Sequence, residues 1–306
     1  MNLIKPKKLQ KGDKVGLLSV SGKIEDLERL ERAKLFFENE GYEIVLSDTC
    51  FKSYRYMSGE DSERANALNA MFIDDSIKAI ISARGGYGSI RILDKIDYDT
   101  IKKNPKIFVG YSDISALLLM IYKKTGLITF HGAMGVSDFG KQEVSDFTKQ
   151  SFFNMLSDDF LDEDFKALPE YKIYKSGVCD GILWGGNLAT VNSLLGQDFI
   201  PDEKFIFFIE DLNEPVYKID KMITQLLNLS DFRKKVSGIA FGEFIDVDNK
   251  DYLNELFQEI ANELDVPACG GFKISHSKDK ITFPIGAKTM LSAGKGVLKL
   301  LENPFA

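Results

Sequence analysis

Short apolar runs alternate with amphipathic stretches from residue 15 to residue 130, and this alternation constrains the fold more than any other feature. The apolar runs predict strands at 15–20, 42–46, 78–82, 107–109 and 127–130. The stretches between them predict helices at 24–39, 62–72, 90–96 and 114–124. Strand followed by helix, repeated, predicts a parallel sheet covered on both faces, whose ligands bind beyond the carboxyl ends of the strands.

The second half of the chain carries more scattered signals. Strands are predicted at 205–209, 236–241, 281–283, 288–291 and 297–300, and helices at 187–195, 216–229 and 252–264. Charged and seryl residues are dense between the halves and predict a linker, with one helix between Val144 and Leu156 and a solvated acidic run at 157–164. We therefore expect an α/β domain over residues 1–137, a linker over 138–170 and a second domain over 171–306.

Composition excludes several classes of protein. The 306 residues are 44% hydrophobic and 28% charged, which is typical of a globular protein, and the net charge of -7 disfavours nucleic acid or anionic membrane as a partner. The sequence shows no signal peptide and no run of about 18 apolar residues, so a cytoplasmic location is expected. Three widely separated cysteines and two histidines predict neither a disulfide framework nor a zinc site.

Ser112 follows one predicted strand and precedes a predicted helix, a position that favours a nucleophile. Gly110 gives the backbone freedom for a tight turn, and the helix N-terminus offers N–H groups to a developing oxyanion. The arrangement is that of a nucleophile elbow, although the sequence is not of the GxSxG form. Serine is also a favoured N-cap, so nucleophile and helix cap remain equally open from the local sequence.

A serine nucleophile needs a base, and the chain offers only two histidines. His131 follows a predicted strand, and His276 lies in a predicted loop of the second half. Glu210 ends an apolar strand, where a carboxylate needs a partner such as a histidine. Both histidines remain open as the base, although a histidine in such a position is more often structural than catalytic. Glu210 can equally be an ordinary polar strand end.

Two further segments contain paired glycines, and the first of them follows the strand predicted at 78–82. Residues 83–88, Ala-Arg-Gly-Gly-Tyr-Gly, allow the backbone to approach a ligand, but their spacing does not match a dinucleotide or phosphate loop. We expect their N–H groups to form half of an oxyanion hole. Residues 183–188 contain the single tryptophan, Trp184, which either lines a pocket or packs in a core.

In their order along the chain, these segments resemble the LD-carboxypeptidases of peptidase family S66, which also contains the microcin-C self-immunity peptidases. The resemblance is carried by residues 12–15, 63–69, 83–88, 110–113, 130–132, 185–188 and 209–211 and by the His276 loop. It implies a flavodoxin-like parallel-sheet N-terminal domain and a smaller β-rich C-terminal domain, with the active site between them. It also implies a homodimer that needs no cofactor and no metal.

The resemblance further implies a Ser-Glu-His triad of Ser112, Glu210 and His276, and so selects His276 over His131. The implied reaction removes the terminal D-alanine of murein tetrapeptides during peptidoglycan recycling, through an acyl-enzyme. Two alternatives are kept: a family-related hydrolase of a peptide–nucleotide toxin, and a non-catalytic protein that binds muropeptides.

The same resemblance assigns oxyanion donation to the backbone N–H groups of Asp113 and Gly86. Four residues are predicted to contact the substrate: Arg84, Tyr87, Trp184 and Asn187. The sequence departs from the family pattern twice, since residues 18–22 lack the usual Pro-Ser pair and Ser275 stands where glycine usually precedes the histidine. A cysteine-nucleophile, amidotransferase-like enzyme is disfavoured, because Cys50 lies in a loop with no clear helix behind it.

Overall fold

A computed structural model describes residues 2–157 and 164–306, which divide into two compact units. The first unit takes the described residues up to 157 together with 282–284 and 304–306, and the second takes 164–281 and 285–303. Six residues of the predicted acidic run, 158–163, lie outside the described residues. The domain boundaries at 137–138 and 170–171 stay a prediction.

The first unit contains a sheet whose strands are β1 (Lys14–Leu18), β2 (Glu43–Leu46), β3 (Ile77–Ser82), β4 (Ile107–Gly110), β5 (Thr129–His131) and, later in the chain, β12 (Phe283–Ile285). Their order across the sheet is β2-β1-β3-β4-β5-β12, and β1 to β5 pair in parallel. The order 2-1-3-4-5 is that of flavodoxin-like folds. The predicted parallel-sheet fold of this half is confirmed.

The central strands of this sheet are buried on both faces, as their continuous apolar sequences predict. Its helices are α1 (Leu27–Asn39), α2 (Asp61–Ile73), α3 (Tyr98–Lys103), α4 (Ser115–Thr125) and α5 (Asp146–Leu156). Helix α5 confirms the helix predicted before Leu156, whereas the helix predicted at 90–96 is a 3₁₀ helix over Ser89–Lys95.

The second unit contains a larger, mixed sheet. Its strands are β6 (Phe165–Lys166), β7 (Ile173–Lys175), β8 (Val178–Asn187), β9 (Phe205–Leu212), β10 (Val236–Ile245), β11 (Ala268–Cys269), β13 (Lys288–Ser292) and β14 (Val297–Leu300). They lie in the order β6-β14-β13-β8-β9-β10-β11-β7, with parallel pairing from β8 to β11 and antiparallel pairing outside. The predicted β-rich second half is confirmed.

Four helices accompany this sheet in the described part of the unit: α6 (Leu188–Ser193), α7 (Val216–Leu227), α8 (Ser230–Lys235) and α9 (Lys250–Leu264). The long strand β8 was not expected, because glycine is depleted in strands. Here the neighbouring strand β9 requires glycine at this position, because a Cβ on Gly185 would lie 1.8 Å from the carbonyl oxygen of Phe208.

Within residues 2–157 and 164–306, no helix has both the length and the apolar character needed to cross a membrane.

Candidate active site

Ser112 occupies a strained turn at the end of β4. Its φ angle is +62°, a left-handed conformation that costs a non-glycine residue about 1–3 kcal/mol and is concentrated at functional sites. Gly110 is required just before it, because a Cβ there would lie 2.6 Å from the Ile114 side chain. The residue that precedes the following 3₁₀ helix is Tyr111, which makes no side-chain cap. Ser112 is therefore not the N-cap of this helix, and its strained backbone at a strand-to-helix turn is of the kind that a nucleophile elbow needs.

The glycine-rich loop after β3 packs directly against this serine. A Cβ on Gly85 would lie 2.9 Å from Cβ and 3.0 Å from Oγ of Ser112, closer than side chains approach one another. The carbonyl of Gly85 accepts a hydrogen bond from the N–H of Gly22 at 3.1 Å. Gly86 has a φ of +125°, a conformation open mainly to glycine. Glycine is therefore needed here so that backbone can line the space beside the hydroxyl.

Asp113 ties the serine turn to two other strand ends. Its carboxylate accepts hydrogen bonds from the Ser21 hydroxyl at 2.5 Å and from the Ser89 N–H at 2.8 Å. All three residues are buried. Ser21 belongs to the segment that departs from the family pattern, so in this chain that segment supplies a hydrogen bond to the predicted oxyanion turn.

Arg64 is a buried arginine whose role the sequence did not reveal. Its guanidinium donates to the carbonyls of Val20 and Gly88 and to the Asp61 carboxylate at 2.5 Å. Hydrogen bonds from Arg91 and from Arg64 hold the pKa of Asp61 below its ordinary value. The guanidinium therefore fixes the loops that follow β1 and β3. The only signal for it was a charged residue within an otherwise apolar helix face.

Glu210 and His276 meet in the second unit. Glu210 lies near the end of β9 with its side chain fully buried, and its Oε2 is 2.8 Å from Nδ1 of His276, whose side chain is 16% exposed. Of the predicted triad, the structure thus joins the carboxylate and the imidazole, while Ser112 belongs to the first unit. The other histidine, His131, is buried on β5 beside Tyr111, with ring centroids 6.1 Å apart.

Asp211 is the second carboxylate of this strand end. Burial raises its pKa to about 6, with a further contribution from the negative charge of Glu210. Its oxygens accept hydrogen bonds from the Asn187 side chain at 2.9 Å and from the N–H groups of Ala189 at 2.9 Å and Leu212 at 2.8 Å. These donors hold Asp211 beside the Glu210–His276 pair.

Asn187, a predicted substrate contact, is buried and serves as the N-cap of α6. Its Oδ1 accepts from the Thr190 N–H at 3.1 Å, while its Nδ2 donates to Asp211. Trp184 is fully buried, and its ring lies among four phenylalanines, Phe199, Phe205, Phe207 and Phe232. A fully buried indole presents no surface to a ligand, so the structure places Trp184 in a core, the second of its two alternatives.

Arg84 and Tyr87 lie in the loop that packs on Ser112. The half-buried Arg84 guanidinium donates to the carbonyls of Lys23 at 2.7 Å and Gly85 at 3.2 Å. Tyr87 is exposed and makes an edge contact with the exposed Tyr56, with ring centroids 5.7 Å apart. Both side chains therefore belong to the first unit, in the loop that packs against Ser112.

The thiols are unsuited to nucleophilic chemistry. Burial raises the pKa of Cys50 to about 12, that of Cys179 to about 11 and that of Cys269 to about 12, whereas a reactive cysteine needs a lowered pKa. In the part of the chain that the structure describes, no three His, Cys, Asp or Glu side chains form a group that could hold a metal ion.

The sequence matches two family models, the LD-carboxypeptidase N-terminal domain over residues 15–132 and the LD-carboxypeptidase C-terminal domain over residues 180–291. It is 35% identical to a probable murein peptide carboxypeptidase of Bacillus subtilis, over 95% of this chain and 92% of that protein. This chain belongs to the LD-carboxypeptidases, peptidase family S66. Membership supports a peptidase activity on peptide substrates.

Other similar proteins carry different names. The chain is 32% identical to the microcin C7 self-immunity protein MccF of Escherichia coli, over 95% of this chain and 94% of that protein. Among solved structures, MccF in its wild-type apo state matches with a TM-score of 0.89 at 29% identity, covering 99% of this chain and 100% of MccF. The muramoyltetrapeptide carboxypeptidase of Oxalobacter formigenes matches with a TM-score of 0.83 at 27% identity, covering 94% of this chain and 97% of the other.

Proposed function

We propose that this LD-carboxypeptidase is a serine-type enzyme that removes the terminal D-alanine of murein tetrapeptides, in a cytoplasmic recycling role and as a homodimer. The observation that carries the proposal is the strained Ser112 turn, with a φ of +62° and Gly85 packed on its side chain. Strain of this kind persists where the surrounding structure enforces it, and at a strand-to-helix turn it presents a nucleophile.

In the proposed reaction, Ser112 of the first unit and Glu210 and His276 of the second act as one triad. Because Nδ1 of His276 bonds to Glu210, the Nε2 atom takes the proton from the Ser112 hydroxyl as its oxygen attacks the scissile carbonyl. The same proton then passes to the leaving D-alanine nitrogen when the C–N bond breaks. Water, deprotonated by the imidazole, attacks the acyl-enzyme ester and regenerates the serine.

The oxyanion of each tetrahedral intermediate is proposed to accept hydrogen bonds from the N–H groups of Asp113 and Gly86. Asp113 stands in the first turn after the serine, where helical N–H groups lack intrahelical acceptors. Gly86 follows the glycine that touches Ser112. Donors fixed before the reaction stabilise the developing charge without reorganisation, which is typically worth about 2.7–4 kcal/mol for each donor.

Arg84 is proposed to bind the free carboxylate that a carboxypeptidase must recognise. Its guanidinium is held by two backbone carbonyls, and no carboxylate of the described residues lies within ion-pair distance of it. Its positive charge is therefore available to an anionic chain end, one residue from the glycine that packs on Ser112. Two further residues remain proposed substrate contacts. Tyr87 lies in the same loop as Arg84, and Asn187 lies at the end of β8, where it bonds to Asp211.

The deciding experiment incubates purified protein with muramoyl tetrapeptide and measures released D-alanine. We expect turnover by the wild type and none by Ser112→Ala, with Glu255→Gln as a matched surface control. A fluorophosphonate probe should label Ser112, and His276→Ala should slow the labelling. Hydrolysis of an aminoacyl sulfamoyl adenosine without D-alanine release would instead support the MccF-like activity, and tetrapeptide binding without turnover or labelling would support a binding protein.

A further inference from the structure

His276 lies between two serines that share one carboxylate. The hydroxyls of Ser275 and Ser277 both donate to Oε2 of Glu243, the second at 2.5 Å. The two serine oxygens are 2.6 Å apart, and the N–H of Ser277 donates to Oγ of Ser275 at 2.9 Å. The backbone on both sides of the imidazole is thus bound, through side chains, to a single residue of β10.

Backbone contacts hold Glu243 beside the His276 loop, where its carboxylate can accept from both serines. Its N–H donates to the carbonyl of Ile274 at 2.9 Å, so β10 and the start of the His276 loop are joined by backbone as well. The preceding Gly242 permits the close approach, since a Cβ there would lie 2.3 Å from the Ile274 oxygen and 3.1 Å from Cβ of Glu210. The same stretch of β10 therefore lies against both the His276 loop and the base of the Glu210 side chain, whose carboxylate His276 binds.

We propose that Glu243 is a positioning residue: through Ser275 and Ser277 it sets the orientation of the His276 imidazole toward Glu210. Without the carboxylate, the buried Ser275 hydroxyl and the half-buried Ser277 hydroxyl lose their shared acceptor. The backbone bond from Glu243 to Ile274 remains, but the loop loses the restraint that these side chains supply on both sides of His276. The imidazole would then sample orientations in which Nδ1 leaves Glu210 and the tautomer is no longer fixed. The consequence for turnover rests on the proposed triad.

The kinetic experiment compares Glu243→Ala, Glu243→Gln and the control Glu255→Gln, which changes an exposed carboxylate of α9. We expect Glu243→Ala to lower kcat about 10- to 100-fold with KM within about twofold, because misplacement of a reacting group by about 1 Å has this scale of effect. Glutamine keeps one oxygen acceptor for the two hydroxyls and should restore most of kcat. An unchanged kcat in Glu243→Ala would overturn the proposal.

A double-mutant cycle separates positioning from other effects. Ser275→Ala/Ser277→Ala should reproduce the loss of Glu243→Ala, and the triple variant should lose no more than the larger of the two. Additive losses would mean that the serines and Glu243 act separately, which would overturn the proposal. The serine pair also provides a test of the contact if Glu243→Ala fails to fold.

A third measurement does not depend on activity. With two histidines in the chain, proton–nitrogen spectra of protein labelled with ¹⁵N-histidine report each imidazole, and His276→Asn assigns the signals. In Glu243→Ala we expect the Nδ1–H signal of His276 to broaden or shift while that of His131 stays in place. An unaltered His276 tautomer in Glu243→Ala would overturn the proposal. An altered tautomer in Glu243→Ala, together with a wild type that releases no D-alanine, would contradict only the proposed function.

Discussion

The Ser112 turn and the His276 loop hold their reactive side chains by different means. Ser112 is fixed by backbone: its φ is left-handed, and Gly85 packs so closely that a Cβ on it would lie 2.9–3.0 Å from the serine side chain. His276 is fixed by side chains, with Glu210 on its ring and the Ser275–Glu243–Ser277 bonds on its flanks. The first arrangement is steric and the second electrostatic.

This difference predicts different responses to substitution. A steric site tolerates almost no added volume, because neighbouring backbone cannot move by the required distance without distorting the sheet ends. A hydrogen-bonded site responds in steps, since each lost acceptor removes part of the restraint. Substitutions near His276 should therefore be graded by the acceptors that they keep, and substitutions near Ser112 by the atoms that they add.

The largest effect is expected from Glu210→Gln. The amide keeps the shape of the buried side chain but removes its charge, so the tautomer with Nδ1 protonated is no longer favoured and the imidazolium is no longer stabilised. In serine proteases the corresponding change lowers kcat about 10⁴-fold, and we expect roughly 10³- to 10⁴-fold here. Steady-state kinetics on muramoyl tetrapeptide will measure it, and a loss below about tenfold would contradict the proposed triad.

The pH dependence of stability tests the neighbouring Asp211. Its folded-state pKa of about 6 lies above the ordinary 3.8, so the folded protein binds this proton more tightly than the unfolded chain does. That contribution is fully present below pH 3.8, is lost as pH rises to about 6, and is at most about 3 kcal/mol. Urea unfolding between pH 4 and pH 7 should show this decline relative to Asp211→Asn; parallel curves would refute it.

The sequence predicted the steric site better than the electrostatic one. Strands β1, β3 and β4, and the glycines that follow them, are local signals, because each strand end and each turn is encoded within a few residues. A parallel sheet then brings their carboxyl ends together without further information. The Ser112 turn and the loop at 83–88 are therefore predicted at the same sheet edge from the sequence alone.

The restraints on His276 have no comparable local signal. Glu243 and Ser275 are 32 residues apart, and Arg64 and Val20 are 44 apart, so neither contact follows from spacing or periodicity. Strand β8 was missed for a related reason: its glycines oppose strand formation locally and are required by the backbone of β9. Such contacts between residues far apart in the sequence form only when the sheet is folded, so no local pattern predicts them.

Gly85→Ala tests the steric site with the addition of one methyl group. The new Cβ would lie 2.9 Å from Cβ of Ser112, so either the serine or the loop must shift. We expect kcat/KM on muramoyl tetrapeptide to fall about 100-fold, the scale of a 1 Å misplacement. Gly294→Ala is the matched control, because the nearest atom to its Cβ would be 4.0 Å away. Equal activity of the two variants would refute steric control.

Ser21→Ala should have the smallest effect and sharpens the comparison most. It removes one hydroxyl from the Asp113 carboxylate but leaves the Ser89 N–H in place and adds no atom near Ser112. If backbone geometry alone holds the serine turn, unfolding free energy should fall by about 1 kcal/mol, the usual value of one hydrogen bond, while kcat changes less than about threefold. A kcat loss as large as that of Gly85→Ala would show that the turn, like the His276 loop, depends on side-chain hydrogen bonds. Chemical denaturation and steady-state kinetics on the same preparation distinguish these outcomes.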